Sequence, residues 1–477
     1  MRFRLLIFAL LLAVPALRAQ PNWAERPTLQ APPRFTMPPM QRFTLSNGLP
    51  VMLVEKHGVP IVQVNLVVKA GSVNDPAGKV GLAAVAADMM DEGAGNRTAL
   101  ELADAVEFLG VQLSTGAGLH STEVALHTPV AKLEPALDLM ADVALRPTFP
   151  QEELERLRAR RLTALAQRRD QPRSIASVLF DRTLFGPQHP YGRGSSDPAG
   201  IRGLTRDDLA GFHQTYIRPA NAAFIVVGDV TPAQVQPLLE ARFGRVWAAG
   251  SNPVPARVAA AAQVARRTIY LVDKPGAAQS VIRIGRIGAA RSTPDYYALQ
   301  VLNTILGGSF TSRLNQNLRE THGYAYGAGS SFGFRPVAGP FVATSDVQTD
   351  VTAPALTEFF NELRGIRNPI PAEELDKARS FVALSFPEPF GSVRGTAAML
   401  AELFLNDLPD DTFNHFTERI LAVTAADVQR VARQYVDPDK VAVIVVGDRS
   451  KVEAGIRALN LGTIQTLTID DVLGPAQ

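Results

Sequence analysis

Two stretches of the chain carry the same pattern of apolar and polar positions. Thr205–Asp229 reads TRDDLAGFHQTYIRPANAAFIVVGD and Thr424–Asp448 reads TAADVQRVARQYVDPDKVAVIVVGD. Ten of 25 positions are identical without a gap, at an offset of 219. In each, a Thr followed three residues later by Asp predicts a helix N-cap. Leu209, Phe212 and Tyr216 then fall on one helical face, and Pro219 or Pro438 ends the helix. A β-branched run, Phe224–Val227 or Val443–Val446, closes on Gly-Asp, the pattern of a buried strand entering a turn. A second pair, Phe149–Leu154 and Ile370–Leu375, repeats at an offset of 221, with Pro opening each helix and acids in its first turn. Two pairs in register predict two homologous domains of roughly 210 residues each.

Strands and helices alternate within each half. Arg42–Glu55 and Ile61–Lys69 read as two strands with a turn at Lys56–Pro60, Val80–Met90 as a helix, and Val111–Thr128 as paired strands. The expected architecture is a pair of mixed α/β domains, each a sheet with helices packed on one side. The expected limits are 40–246 and 264–470, joined by a linker at 247–263 that holds Gly250, Pro253 and Pro255.

Composition narrows the function. Of 477 residues 46% are apolar and 20% charged, and the net charge is +2, so charge supplies no case for nucleic acid or an anionic membrane. The absence of cysteine excludes disulfides, thiolate nucleophiles and cysteine-ligated zinc. Residues 1–19 read as a signal peptide. Arg2 and Arg4 precede the apolar run Leu5–Val14, and Ala16-Leu17-Arg18-Ala19 offers cleavage near Ala19. Ten apolar residues fall short of the roughly 20 that span a bilayer. A Pro-rich linker, 20–39, follows. The expected product is an exported periplasmic protein without a membrane anchor.

The stretch GSVNDPAGKVGLAAVAADMMDEGAG, Gly71–Gly95, resembles the signature region of the pitrilysin/insulinase family of zinc peptidases. The likeness extends to Leu45-Ser46-Asn47-Gly48-Leu49, the helix after Phe149, His189-Pro190-Tyr191-Gly192 and Asn221–Asp229. The resemblance implies an α+β fold of two duplicated domains with mostly antiparallel sheets, like that of mitochondrial-processing-peptidase-like metallohydrolases. The family binds zinc through His-x-x-Glu-His on a helix, so that two imidazoles four residues apart reach one metal. Aligned on Gly81-Leu82-Ala83, those positions are Ala84, Ala87 and Asp88 here, and the family's third ligand position is Ala164. No two of the seven histidines stand three or four residues apart to replace the pair. Asp88, Asp91 and Glu92 read as a solvated helix end, with a hard-cation site as the remote alternative. No zinc or other cofactor is therefore expected in this chain.

The second half carries GGSFTSRLNQNLRETHGYAYGAGSSF, Gly307–Phe332, which resembles the family segment that brings an Arg and a Tyr, seven residues apart, to the active site. The residues here are Arg319 and Tyr326, with Gly307 and Gly308 as a substrate-loop candidate or simple turn glycines. Some members of the family are pairs of chains, one with zinc and the other with the Arg/Tyr segment. The resemblance thus implies a zinc-less subunit, inactive by itself, that joins a zinc-bearing homologue in a heteromeric metallopeptidase. It would supply Arg319 and Tyr326 in trans to extended peptide substrates. A non-catalytic peptide-binding scaffold and an independent metal hydrolase are the competing classes. The arginines 156, 158, 160, 161, 168 and 169 read as the outer face of a helix, with a docking surface as the alternative.

Overall fold

The computed structural model describes residues 35–194, 196–250 and 253–475. The expected signal peptide and most of the expected 20–39 linker lie outside the described residues. Residues 35–39 are packed against the second half. The Phe35 ring lies 4.6 Å from that of Phe390 and 5.3 Å from that of Phe386, and Met37 N donates to Asn414 Oδ1 at 2.8 Å.

The first half contains β1 (Met40–Thr44), β2 (Pro50–Glu55), β3 (Ile61–Val68), the two-residue pair β4 (Gly93–Ala94) and β5 (Arg97–Thr98), then β6 (Gln112–Ala117), β7 (Thr122–Pro129) and β8 (Ala222–Gly228). Apart from β4 and β5 these form one sheet in the order β1-β2-β8-β3-β7-β6. The second half contains β9 (Thr268–Asp273), β10 (Gln279–Ile287), β11 (Ala325–Phe332), β12 (Pro340–Gln348), β13 (Ala442–Gly447) and β14 (Thr463–Leu467), in the order β11-β12-β10-β13-β9-β14. Read from opposite ends, the two sheets are the same, with β2, β3, β6, β7 and β8 matching β9, β10, β11, β12 and β13. Only one edge differs. β1 enters from the N-terminal side antiparallel to β2, whereas β14 arrives from the C-terminal side parallel to β9. Both sheets are mostly antiparallel, as the resemblance implied. The repeated Thr205/Asp208 and Thr424/Asp427 pairs form reciprocal capping boxes at their helix starts.

Arg42–Glu55 is not a single strand but a hairpin. Gly48 has φ 87°, and Leu45 N and Leu49 O close the turn at 3.0 Å. Asn47-Gly48 supplies the left-handed backbone that such a turn requires.

Each sheet carries its own helices on one face, and its other face is covered by a helix from the opposite half. Helix Pro172–Phe185 lays Ile175, Leu179 and Phe180 on Val281, Ile444 and Val446 of the second sheet. Helix Val393–Leu405 lays Val393, Ala397 and Leu400 on Val54, Val67, Ile225 and Val227 of the first. This exchange explains why β8 and β13 are buried at every residue: a strand covered on both faces carries a continuous apolar run. Each such fully buried apolar side chain contributes about 1.5–3 kcal/mol, which locks the halves together. Gly285 of β10 is required by the same contact, since a Cβ there would lie 2.0 Å from Phe341 O and 2.7 Å from the Phe180 ring.

Candidate functional site

The helix that carries the signature positions is short, Leu82–Asp88. Gly81 at its start has φ 107°, a conformation that other residues adopt only at a cost. The buried carboxylate of Asp75 caps this helix, accepting from Gly81 N and Ala83 N at 2.8 Å each. Burial pushes the Asp75 carboxyl up to about 6, against the opposing pull of those N–H groups.

Of the four aligned positions, Ala87 is 1% exposed and has no carboxylate to act as a base. Ala84 is half-buried, and Ala164 lies on the neighbouring helix Gln151–Gln167. One turn before Ala164, on the same helical side, Arg161 reaches across. Its Nη2 donates to Asp88 Oδ2 at 2.5 Å and to Ala84 O at 3.2 Å. A guanidinium therefore sits against Ala84 and Asp88, two of the positions that the resemblance aligns with the family's ligands. Two alanines without donor atoms and a cation held between them and Asp88 do not fit zinc. Among the described residues no group of three or more His, Asp or Glu side chains is arranged to hold a metal ion.

The arginine-rich segment departs in part from the outer face expected of it. Arg156 joins Glu92, Arg158 donates to the carbonyls of Ile201, Arg202 and Leu204, and Arg169 binds Asp470 and Gly474 O. Arg158, Arg161 and Arg169 are thus tied to neighbouring elements, while Arg156 and Arg160 stay exposed as an outer face would have them. The acids beyond the signature helix are engaged in the same network, through Asp88–Arg161 and Glu92–Arg156. Asp91 has no such tie, and burial, helped by the charges of Glu92 and Asp88, pushes it up to about 6. A carboxyl raised in the folded state stabilises fully below its unfolded value of 3.8, and this is lost as pH rises through about 6. Asp91→Asn is therefore expected to raise Tm by about 1 °C at pH 7.5, equivalent to about 1 kcal/mol for a chain of this size, and to leave it unchanged at pH 4. Thermal unfolding at the two pH values checks this.

Arg319 and Tyr326 lie together in the second half. Arg319 falls in a wide π-type turn, Gln316–Thr321, a geometry frequent at functional sites. Tyr326 stands where β11 leaves its register with β12: the pairing passes from Ala325↔Val347 to Ala328↔Ser345. Such a bulge re-aims side chains, and Tyr326 is 89% exposed. The Arg319 guanidinium lies 5.2 Å from the Tyr326 ring centre and 4.6 Å from that of Phe310, and 3.3 Å from Glu320 Oε1. All three aromatic and cationic groups open on a cleft of about 760 Å³ that also holds Asn315 and Asp346. A phenol hydroxyl and a guanidinium presented on one cleft wall can donate to an oxygen that gains negative charge.

Asn315, 4% exposed, fixes this wall by donating to Phe310 O at 2.7 Å and accepting from Ala328 N at 3.1 Å. Gly307 and Gly308 are held by close packing. A Cβ on Gly307 would lie 2.2 Å from Ser330 N, and one on Gly308 2.5 Å from Asn303 Nδ2. Phe310, Asn315 and Arg161 escape a reading of the sequence, because nothing local distinguishes them from other surface or turn residues.

Residues 203–382 match the family described as peptidase M16 inactive domain, and residues 50–184 match insulinase (peptidase family M16). A zinc protease of Mycobacterium leprae is 30% identical over 288 residues. The match takes in 60% of this chain but 64% of that relative, under two thirds of its length. The zinc protease PqqE of Helicobacter pylori is 24% identical over 84% of this chain and 90% of the relative. Among solved structures, the peptidase M16 inactive domain from Pseudomonas fluorescens superposes with a TM-score of 0.80 at 26% identity, covering 86% of this chain and 98% of that one. The first half of the periplasmic protease PqqL from Escherichia coli shares the fold, with a TM-score of 0.73 at 17% identity over 90% of this chain and 97% of that one. With family models matched in both halves and the duplicated sheets shared with solved members, the chain belongs to the insulinase family, peptidase family M16.

Proposed function

We propose that this chain is the zinc-less subunit of a heteromeric periplasmic metallopeptidase, exported by the signal peptide at 1–19. It pairs with a zinc-bearing homologue, closes a chamber around extended peptides, and lends Arg319 and Tyr326 to the partner's site. One contrast carries this reading. Arg161 lies against Ala84 and Asp88, two of the positions aligned with the family's ligands, while the exposed Tyr326 and the half-buried Arg319 line one open cleft. A domain without a partner gains nothing from an 89% exposed Tyr beside a guanidinium.

In such a pair, the partner's zinc would supply the activated water. The residues of this chain act on the other side of the scissile bond. The phenol hydroxyl of Tyr326 donates to the carbonyl oxygen as it becomes an oxyanion. Arg319, stacked between the Tyr326 and Phe310 rings, holds a backbone carbonyl of the substrate and adds positive potential. The substrate lies extended, its backbone added to a sheet edge.

The experiment compares the purified mature chain, a zinc-bearing homologue encoded beside it, and their mixture, for co-elution and for cleavage of an unfolded peptide. The expected result is a stable complex and activity in the mixture alone. Full activity of the homologue without this chain would remove the proposed role.

A further inference from the structure

The Arg/Tyr cleft reaches further into the molecule than Arg319 and Tyr326. Helix Pro172–Phe185, from the first half, covers β13 and β10. Beside it the cleft of about 760 Å³ opens over β12 and β11. The pairing register shows what lies on its floor. Arg283 of β10 stands opposite Thr344 of β12, and Thr344 opposite Gly329 of β11. Val281, two residues before Arg283, packs with Ile175 and Leu179 of the covering helix. By the alternation of a strand, Arg283 therefore shares the face turned to that helix and the cleft. The edge of β11 offers a peptide backbone little to bond to. Ala328 N already donates to Asn315 Oδ1 at 3.1 Å and Ser330 N to Gly307 O at 3.0 Å. Selection of a substrate in this half falls to side chains.

Arg283 is a charge that the fold leaves without a partner. It is half-buried and lines the cleft. Its Nε is buried and unbonded, and the residue forms no ion pair among the described residues. Two acids lie near it. Asp346 is engaged by the exposed Arg173 instead. Asp181, on the covering helix, feels Arg335 as well as Arg283 and is bonded to neither, and burial pushes its carboxyl up, which weakens it as a counter-charge. Burial correspondingly holds the Arg283 guanidinium below its ordinary value. A half-buried cation without an acceptor is costly until an anion completes it. The cleft as a whole favours an anion, because Arg173, Arg283 and Arg319 line it against one acid, Asp346.

The fold also sets the reach. β10 and β11 are two strand spacings apart, about 10 Å, and an extended peptide advances about 3.3 Å per residue. With the scissile carbonyl at Tyr326, the residue that meets Arg283 is about three positions away. A guanidinium matches a carboxylate in shape and charge.

We propose that Arg283 is a specificity-determining residue that receives an Asp or Glu side chain of the substrate, about three residues from the bond that is cut. The proposal deepens the peptidase-pair reading and rests on it. It concerns which peptides are cut, and leaves the roles of Arg319 and Tyr326 as they are.

The test uses the assembled pair. A mixture of unfolded peptides of varied sequence is digested and the cut sites are read by mass spectrometry. Matched Glu and Gln peptides are then made for the position most enriched in acid. The expected result is enrichment of Asp and Glu about three residues from the cut. The Glu peptide should have a kcat/KM about tenfold above that of the Gln peptide, the scale of a charge-assisted hydrogen bond. Arg283→Gln is expected to bring the two peptides level by loss of rate on the Glu peptide, and Arg283→Lys to keep part of the preference. Arg283→Glu should turn the preference toward lysine at the same position, a reversal that misfolding cannot produce. No acid enrichment with the unaltered chain, or a Glu preference that survives Arg283→Gln, would overturn the role of Arg283 and leave the pair standing. Absence of cleavage by the assembled pair would overturn both.

Discussion

Tyr326→Phe in the assembled peptidase is expected to lower kcat by about 10- to 1000-fold, the range for loss of one oxyanion donor. The change removes only a hydroxyl. Tyr326 is 89% exposed and its ring rests beside Arg319, so the phenylalanine keeps the stacking and forfeits no buried hydrogen bond. Stability should be unaltered, and KM should change little, because the oxyanion exists only as the bond is broken. Arg319→Ala should differ in kind. It removes a group that also holds substrate backbone, so KM should rise as kcat falls. Steady-state kinetics on the complex, with Tm of each variant as a control, separates the two. Unchanged turnover with Tyr326→Phe would mean that the segment takes no part in the reaction and that the chain acts as a scaffold.

The second large effect concerns Arg161. Introducing Ala84→His, Asp88→His and Ala164→Glu restores three family ligands on two adjoining helices. With Arg161 retained, this triple variant is expected to bind zinc at least about 30-fold more weakly than the same variant carrying Arg161→Ala. A guanidinium held on the Ala84 carbonyl places a positive charge within about 4–5 Å of a divalent cation. The repulsion amounts to roughly 2 kcal/mol even at the dielectric of water, and more in a partly buried site. Competition against a chromogenic chelator measures the two affinities. Equal affinities would show that Arg161 swings clear at no cost and does not guard the site. Hydrolysis is not expected from either variant, because Ala87 carries no carboxylate to activate water.

Much of this was legible in the sequence, for identifiable reasons. The duplicated helix–strand units are local: capping boxes at Thr205 and Thr424 and the apolar runs before Asp229 and Asp448 declare themselves within 25 residues. The signature positions and the Arg/Tyr segment are likewise contiguous. What the chain concealed is long-range. Helices Pro172–Phe185 and Val393–Leu405 reveal by their apolar content that they are buried, but periodicity does not say against which sheet, and each crosses to the other half. Arg161 and Asp88 are 73 residues apart, so a run of arginines reads as a solvated face until its partners are brought to it. The Asn47-Gly48 turn is written in the sequence, between Leu45 and Leu49, and divides a stretch read as one strand. The cap on β11 depends on Asn315 and Gly307, which reach the strand only through the fold.

The asymmetry between the halves follows from these same contacts. In the first, Arg161 lies against two of the aligned positions. In the second, the outer edge is closed and a tyrosine and an arginine line an open cleft.

The most direct measurement is therefore elemental analysis of the purified mature chain, alone and in complex with a zinc-bearing homologue, alongside peptidase activity. The expected result is no stoichiometric zinc and no hydrolysis for the chain alone, and one zinc per pair with activity in the complex. One equivalent of zinc with peptidase activity in the isolated chain would contradict the assignment.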